Sequence, residues 1–263
     1  MALELTLTFI KPDSMVSSLV GEITTAFSQA DLKHAGSRLV RPSRQHVAEH
    51  YKSVYDGYRK KHGVDPPFVE ALETYIMGIQ HYPDDPDSRR VEILAYYGEN
   101  AIMKIKSLAG PTFPPVAKRE APTSIRGKFS YLEPVREPDR RFIIDGKGDL
   151  VYHIWNCVHA SDNEGAEREV KLWMRPTDIV APEWRVFGVV TSEDHFYFNP
   201  QTGNVTKTHR PGSRTIVAPG DQVWESDFKN LLQYRDGRGT PTQSLNSVIL
   251  KYDVIPHEML TWE

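Results

Sequence analysis

The order of strand-like and helix-like patterns along this chain predicts an α+β sandwich, a sheet with helices packed against it. Three observations carry that expectation. Leu3, Leu5, Leu7 and Phe9 alternate with Glu4, Thr6 and Thr8, the period-two signature of a strand with one buried face. Ile23, Ala26, Phe27 and Ala30 then recur at helical spacing. The chain continues as strand, helices, strand, helix, strand and helix.

Taken in order, the first strand stops at Lys11, Pro12 and Asp13, because proline removes a backbone donor and fixes its own φ. Lys11 is thereby delivered at a strand end, where sheet proteins place ligand-facing groups. The helix over 21–32 has Glu22 in its favourable first turn. Residues 39–41 read as a short second strand. Ser43 offers an N-cap for a helix through His46, Val47, His50, Tyr51 and Val54. Pro66 and Pro67 start another, with Phe68, Leu72 and Tyr75 on roughly one side. Residues 81–90 are a polar surface loop. Residues 91–97 form a third strand, Gly98 turns the chain, and a helix covers about 100–108. Residues 122–127 form a loop that carries the always-charged guanidinium of Arg126.

A turn at Asp145-Gly146-Lys147-Gly148 between two apolar runs predicts a β-hairpin over 142–152. An apolar strand then delivers Asn156, Cys157, Val158, His159, Ala160, Ser161 and Asp162 to a helix bearing Glu164, Glu167, Arg168 and Glu169. Beyond Trp173 the character shifts. Strand-like runs cover 184–190, 195–198, 215–217 and 247–252, with a turn over 199–203 and a helix from Ser226 through Phe228, Leu231 and Leu232. This part is short and polar for a core of its own, so it is expected to pack on the preceding domain or on a neighbouring subunit.

The 263 residues suffice for one large domain or a medium domain with a small one. A formal charge of −3 gives no general attraction to nucleic acid or anionic membranes, so any phosphate affinity must be local. The one cysteine, Cys157, cannot form an internal disulfide, which fits a reducing cytosol. No apolar run has the length of a membrane span, and no basic region followed by an apolar core opens the chain. A soluble cytoplasmic protein is expected, with neither nucleic-acid nor membrane partners.

Five motifs occur in a telling order: Lys11-Pro12-Asp13, Gly21-Glu22-Ile23, His50-Tyr51, Ile125-Arg126-Gly127, and Asn156 to Asp162 followed by Ala166-Glu167-Arg168-Glu169. Together they resemble the nucleoside diphosphate kinase family over about residues 1–175. The resemblance implies a ferredoxin-like antiparallel sheet with flanking helices for 1–175, insertions near 81–90 and 130–150, and a β-rich extension over 176–263. It also implies a homo-oligomer, Mg²⁺ on the nucleotide, and transfer of the γ-phosphate of a nucleoside triphosphate to a diphosphate through a phosphohistidine at His159.

Residue by residue, Glu169 corresponds to the carboxylate that bonds the non-attacking nitrogen of His159, although the spacing is one residue shorter than in the family and Glu167 is an alternative partner. Lys11 and Arg126 match the cationic contacts to phosphate, and a third, usually arginine, falls on Lys106. Thr112 matches a hydroxyl on phosphate; Asn156 and Lys11 match groups reaching the sugar hydroxyls. Phe68 matches an aromatic platform that holds any base by its π face, and Leu72 the apolar lip beside it. Tyr51 and Ser161 match residues flanking the histidine. Plainer readings exist for several: Lys106 as an exposed helix lysine, Phe68, Leu72 and Tyr51 as core side chains, Ser161 as an N-cap. Two other functions fit the same motifs, a nucleotide-binding module without efficient transfer and a phosphotransferase specialised for another acceptor.

Overall fold

The structure, a computed structural model, describes residues 3–66, 68–134, 152–180, 188–236 and 245–252. The chain runs β1 (Leu3–Ile10), α1 (Pro12–Val16), α2 (Val20–Ser28), β2 (Lys33–Val40), α3 (Arg44–His50), α4 (Lys52–His62), α5 (Val69–Ile76), β3 (Val91–Glu99) and α6 (Ala101–Ala109). It continues as α7 (Pro114–Glu120), α8 (Ile125–Phe129), β4 (Tyr131–Pro134), β5 (Tyr152–Trp155), β6 (Val158–Ala160) and α9 (Ala166–Trp173). After α9 come β7 (Val189–Thr191), β8 (Phe196–Asn199), β9 (Asn204–Thr206), β10 (Arg214–Val217), β11 (Gln222–Trp224), α10 (Glu225–Asp236) and α11 (Leu245–Tyr252).

An antiparallel sheet in the order β2-β3-β1-β6 is the centre of the fold. Its β1 alternates as the sequence predicts, but both faces are buried rather than one. Leu5, Leu7 and Phe9 join Val47, Tyr75, Val170 and Trp173 from α3, α5 and α9 on one side. Ile10 joins Ile23, Phe27, Ile105 and Ile125 from α2, α6 and α8 on the other. Thr6 and Thr8 are fully buried there, and the Thr8 hydroxyl donates to the carbonyl of His159 across the β1–β6 pairing. The register sets Phe9 opposite His159, so the most buried strand of the sheet supports the residue singled out by its sequence.

Several elements differ from expectation for identifiable reasons. The second strand begins at Lys33, and the helix capped by Ser43, whose hydroxyl accepts the His46 N–H at 3.2 Å, breaks at Tyr51 and resumes as α4 to His62. Residues 125–129 are a short helix rather than a loop, because Ser124 caps it by accepting the Gly127 N–H at 3.0 Å. The polar loop at 81–90 holds a 3₁₀ turn at Pro86–Ser88 whose N–H groups Asp85 accepts. Most of the expected hairpin over 142–152 and of the strand over 184–190 lies outside the described residues; among the described ones β4 pairs with β5, and β7 with β11.

The largest correction concerns the chain after α9. Residues 247–252 form the helix α11 and not a strand: Val248 and Ile249 turn inward while Ser247 and Lys251 satisfy polar partners. This part has a hydrophobic cluster of its own, built from Phe196, Phe198, Val205, Ile216, Val217, Val223, Leu231, Val248 and Ile249. It also docks, since Trp224 inserts into the cluster that contains Trp173 and Met174. The segment between lies along the sheet edge: Val180 N–H donates to Ala35 O at 2.7 Å, and a side chain at Gly36 would meet Asp178 O at 2.0 Å.

Candidate functional site

His159 leaves β6 with its ring stacked on Phe9, centroids 4.8 Å apart, and with the rings of His50 and Tyr51 edge-on at 4.4 and 6.4 Å. Its Nε2 lies 2.7 Å from Glu169 Oε2, one face of α9 away. Burial alone would raise the Glu169 carboxyl, but the charge and hydrogen bond of His159, the nearby His50 and the Ser161 hydroxyl outweigh it and hold the group well below its ordinary range. Glu169 is therefore a carboxylate, an acceptor only, and Nε2 must carry the proton. In the neutral imidazole the lone pair of His159 is then on Nδ1.

Ser161 is not the cap of α9, a position held by Gly165. Its hydroxyl lies 2.5 Å from Glu169 Oε2 and 2.9 Å from Leu7 O, and the ionised carboxylate is the stronger acceptor for its single proton. The shortened spacing also resolves in favour of Glu169, since Glu167 is exposed and pairs with Lys171 at 2.7 Å. His50 is buried and accepts the Trp173 indole N–H on Nδ1 at 3.0 Å. Burial, then the neighbouring His159, push the His50 pKa well down, so it is neutral with its own proton on Nε2.

A second group lies where β1 meets the loop before β6. Lys11 Nζ donates to Asn156 Oδ1 at 2.5 Å and stands 5.2 Å from the centre of the Tyr75 ring. Burial, then the Arg126 charge, lower the Lys11 ammonium to about 7. Arg126 projects from α8 and donates to Gly110 O, Val158 O and Asn156 O at 2.5, 2.8 and 3.3 Å. A guanidinium has five N–H donors and an ammonium three, so both side chains keep donors beyond these bonds. Asn156 Nδ2 in turn donates to Thr112 O at 3.2 Å, which brings the exposed Thr112 alongside.

The sequence reading gave no role to what holds this loop. Cys157 sits at φ +65°, the region that favours glycine, inside a tight turn closed by Val158 N–H to Asn156 O at 2.7 Å. Such a backbone costs on the order of 1–3 kcal/mol and must be over-determined by its surroundings. Here Lys11 N–H donates to Cys157 O at 2.8 Å, and Cys157 N–H donates to Asp13 Oδ2 at 2.9 Å. Asp13 Oδ1 accepts the Tyr75 hydroxyl at 2.8 Å. The clue in the sequence was Pro12, which opens α1 and turns the Asp13 carboxylate inward.

The remaining expected residues spread outward. Phe68 is half-buried at the start of α5, edge-on to Tyr58 at 5.7 Å and tilted against Tyr55 at 6.5 Å. With Tyr51 and Tyr55 6.4 Å apart, an aromatic series connects His159 to Phe68. Leu72 packs against the core from the same helix. Lys106 is exposed on α6 and has no bond to this group.

His50, His159 and Glu169 also lie close enough to suggest a metal centre, with candidate ligand atoms within 4.8 Å of one another. Their bonds argue against it: Glu169 occupies His159 Nε2, and the Trp173 indole occupies His50 Nδ1. Two imidazoles are moreover poor ligands for Mg²⁺, which prefers oxygen. The Asp13 carboxylate is committed to Tyr75 and Cys157. Among the described residues no helix is long and apolar enough to cross a membrane.

Comparison with known proteins matches this arrangement. The family model for nucleoside diphosphate kinase covers residues 4–179. The nucleoside diphosphate kinase of Pyrococcus furiosus is 32% identical over 177 residues, 67% of this chain and 86% of that protein. That of Legionella pneumophila (strain Lens) is 32% identical over 180 residues, 68% of this chain and 98% of its own length. In fold, the chain is similar to the Borrelia burgdorferi nucleoside diphosphate kinase solved with vanadate and ADP, with a TM-score of 0.52, 24% identity and coverage of 70% of this chain and 94% of that one. The enzyme from Aquifex aeolicus superposes with a TM-score of 0.50 at 24% identity, over 68% of this chain and all of the other. With strand order, motif order and relatives in agreement, the chain belongs to the nucleoside diphosphate kinase family, enzymes of phosphate transfer between nucleotides.

Proposed function

We propose that His159 Nδ1 carries the phosphoryl group between a nucleoside triphosphate and a nucleoside diphosphate. The observation that carries this reading is the Glu169 carboxylate on His159 Nε2, which fixes the tautomer and leaves the Nδ1 lone pair for attack. In the first half-reaction Nδ1 bonds to the γ-phosphorus, the bond from that phosphorus to the β–γ bridging oxygen breaks, and the diphosphate leaves with its electrons. The ring becomes an imidazolium whose Nε2–H is held by Glu169. The second half-reaction is the reverse, with the incoming diphosphate oxygen as nucleophile. Phosphate on nitrogen remains high in energy, so neither half is steeply uphill.

The transferred group spreads its charge over three oxygens, so catalysis depends on positioned cations. Lys11 and Arg126 supply them, their remaining donors directed by the bonds to Asn156 and to the backbone carbonyls. Mg²⁺ enters with the nucleotide and neutralises its phosphates. Phe68 offers a base-stacking face and Leu72 an apolar lip, while Asn156 and Thr112 lie on the route of sugar and phosphate. The Borrelia burgdorferi enzyme of similar fold was solved with vanadate and ADP bound, which supports a nucleotide as the substrate class.

The test is direct. Incubation with γ-labelled triphosphate is expected to leave a protein-bound label removed by acid and retained in base. His159→Ala should abolish label and turnover while nucleotide affinity stays within about tenfold, because platform and cations remain. Turnover at the parental rate in that variant would refute the assignment.

A further inference from the structure

The chain beyond the family match grips the end of the helix that carries Glu169. An α-helix leaves its last four carbonyls without intrahelical donors. At the end of α9, Val170 O receives the Met174 N–H at 2.9 Å. Lys251 Nζ, from α11, donates to Lys171 O at 2.6 Å, and the Trp224 indole, from β11, donates to Met174 O at 2.6 Å. Arg38, on β2, donates to Trp173 O at 3.3 Å and to Lys251 O at 2.7 Å. Lys251 is itself paired with Asp227, whose Oδ2 also accepts the Tyr252 hydroxyl at 2.8 Å; that hydroxyl accepts the Trp224 N–H at 3.1 Å. A cation at this end of a helix also meets the negative pole of its dipole.

The gripped helix enters the site twice. Glu169 holds His159, and Trp173 holds His50, whose ring packs edge-on against His159. Both side chains lie within about one turn of the carbonyls that Lys251 and Trp224 hold. Resting on the assignment of His159 and Glu169 above, we propose that Trp224 and Lys251 are positioning residues for phosphotransfer, which fix α9 so that Glu169 stays in hydrogen-bond reach of His159 Nε2. Catalytic groups tolerate displacements of roughly half an ångström, and a supporting bond lost far from the chemistry is felt in turnover. Lys11, Arg126 and Phe68 stand on other elements, so nucleotide binding is not under this control.

Full-length Trp224→Phe keeps an aromatic ring in the core and removes the indole N–H together with the five-membered ring that carries it. It is expected to lower kcat about three- to tenfold with KM for both nucleotides within twofold. The same substitution in a Glu169→Gln background should cost nothing further, because the group it positions has lost its charge. A second full-length variant combines Lys251→Met with Asp227→Leu, removing both charges together so that neither is left alone. It is expected to show the same loss in kcat without a change in KM. Parental kcat in both folded variants, or a Trp224→Phe loss undiminished in the Glu169→Gln background, overturns the proposal. So does failure of both variants to fold, which would make the grip a requirement of the fold and not a positioning device. Absence of acid-labile label in the parent chain would instead remove the assignment of His159, and is read separately.

Discussion

Among the described residues two lysines are buried, and their surroundings are opposite. Lys11, 5% exposed, bonds a neutral amide, faces the Tyr75 ring and has the Arg126 cation nearby. Lys251, 1% exposed, is paired with the buried Asp227 and donates to Lys171 O. Burial disfavours both ammonium groups. The net shift is downward at both, but at Lys251 a bonded carboxylate opposes it by charge and hydrogen bond, whereas at Lys11 the Asp13 and Cys157 contributions oppose burial and Arg126 without a bond to the ammonium. The proposed function sets substrate charge at the buried cation that lacks a bonded counter-ion, while the paired one ties two helices of the fold together.

The sharpest way to break this contrast is to remove each charge in turn. Lys11→Met should lower kcat/KM by about 100-fold or more while melting temperature stays level or rises, since an uncompensated buried cation has gone. Lys251→Met should do the reverse in stability, costing about 3–5 kcal/mol because Asp227 is left buried and alone. Thermal melts and initial rates on the same preparations decide it. Equal destabilisation by the two substitutions would dissolve the distinction.

A second measurement follows protons. In the folded chain without nucleotide, Lys11 titrates near 7, against 10.5 for an ordinary lysine. Between those values the unfolded chain binds more protons, so the stability of the nucleotide-free protein should rise with pH from about 7 toward 10. Below 7 both states are protonated at Lys11, and this contribution is flat. Bound phosphates favour the charged ammonium, so nucleotide binding at pH 8 should take up a substantial fraction of one proton. Calorimetry in Tris and in HEPES would then give different apparent binding enthalpies, and Lys11→Met would make them agree. Identical enthalpies for the parent in both buffers would remove the case for a substrate-awaiting cation.

The smallest expected effect is at Lys106, which the sequence resemblance sets at an arginine position. The side chain is exposed on α6 and makes no bond to the Lys11 group. Lys106→Arg is expected to lower nucleotide KM by no more than about threefold with kcat unchanged, because a planar fork grips phosphate better than a point charge but pays for it in water. A tenfold gain in kcat would show that Lys106 reaches the transferring group.

Much of this was legible in the chain itself because it depends on near neighbours. The alternation of Leu3 to Phe9, the Ser43 cap, the break at Pro12 and the ordered motifs around His159 need only local chemistry, and each has its counterpart in the structure. Other features depend on what covers a face. Thr6 and Thr8 read as solvent-facing until α2 and α6 close over them, and residues 247–252 carry an apolar run that suits a strand as well as a helix until α10 and β10 supply a partner for Val248 and Ile249. For the same reason the part after α9, polar by composition, could not be credited with the cluster around Phe196 and Phe198.

The site divides along the same line. Residue types and order were enough to nominate His159, Lys11, Arg126 and Asn156, since phosphotransfer needs a nucleophile and cations whatever the fold. Tertiary structure chose Glu169 over Glu167, put protons on the Nε2 atoms of His159 and His50, buried Lys11 beside Arg126, and set Lys251 and Trp224 on the end of α9. Those choices depend on distances between residues far apart in the chain and on the water excluded between them, and neither quantity is present until the sheet and its helices have packed.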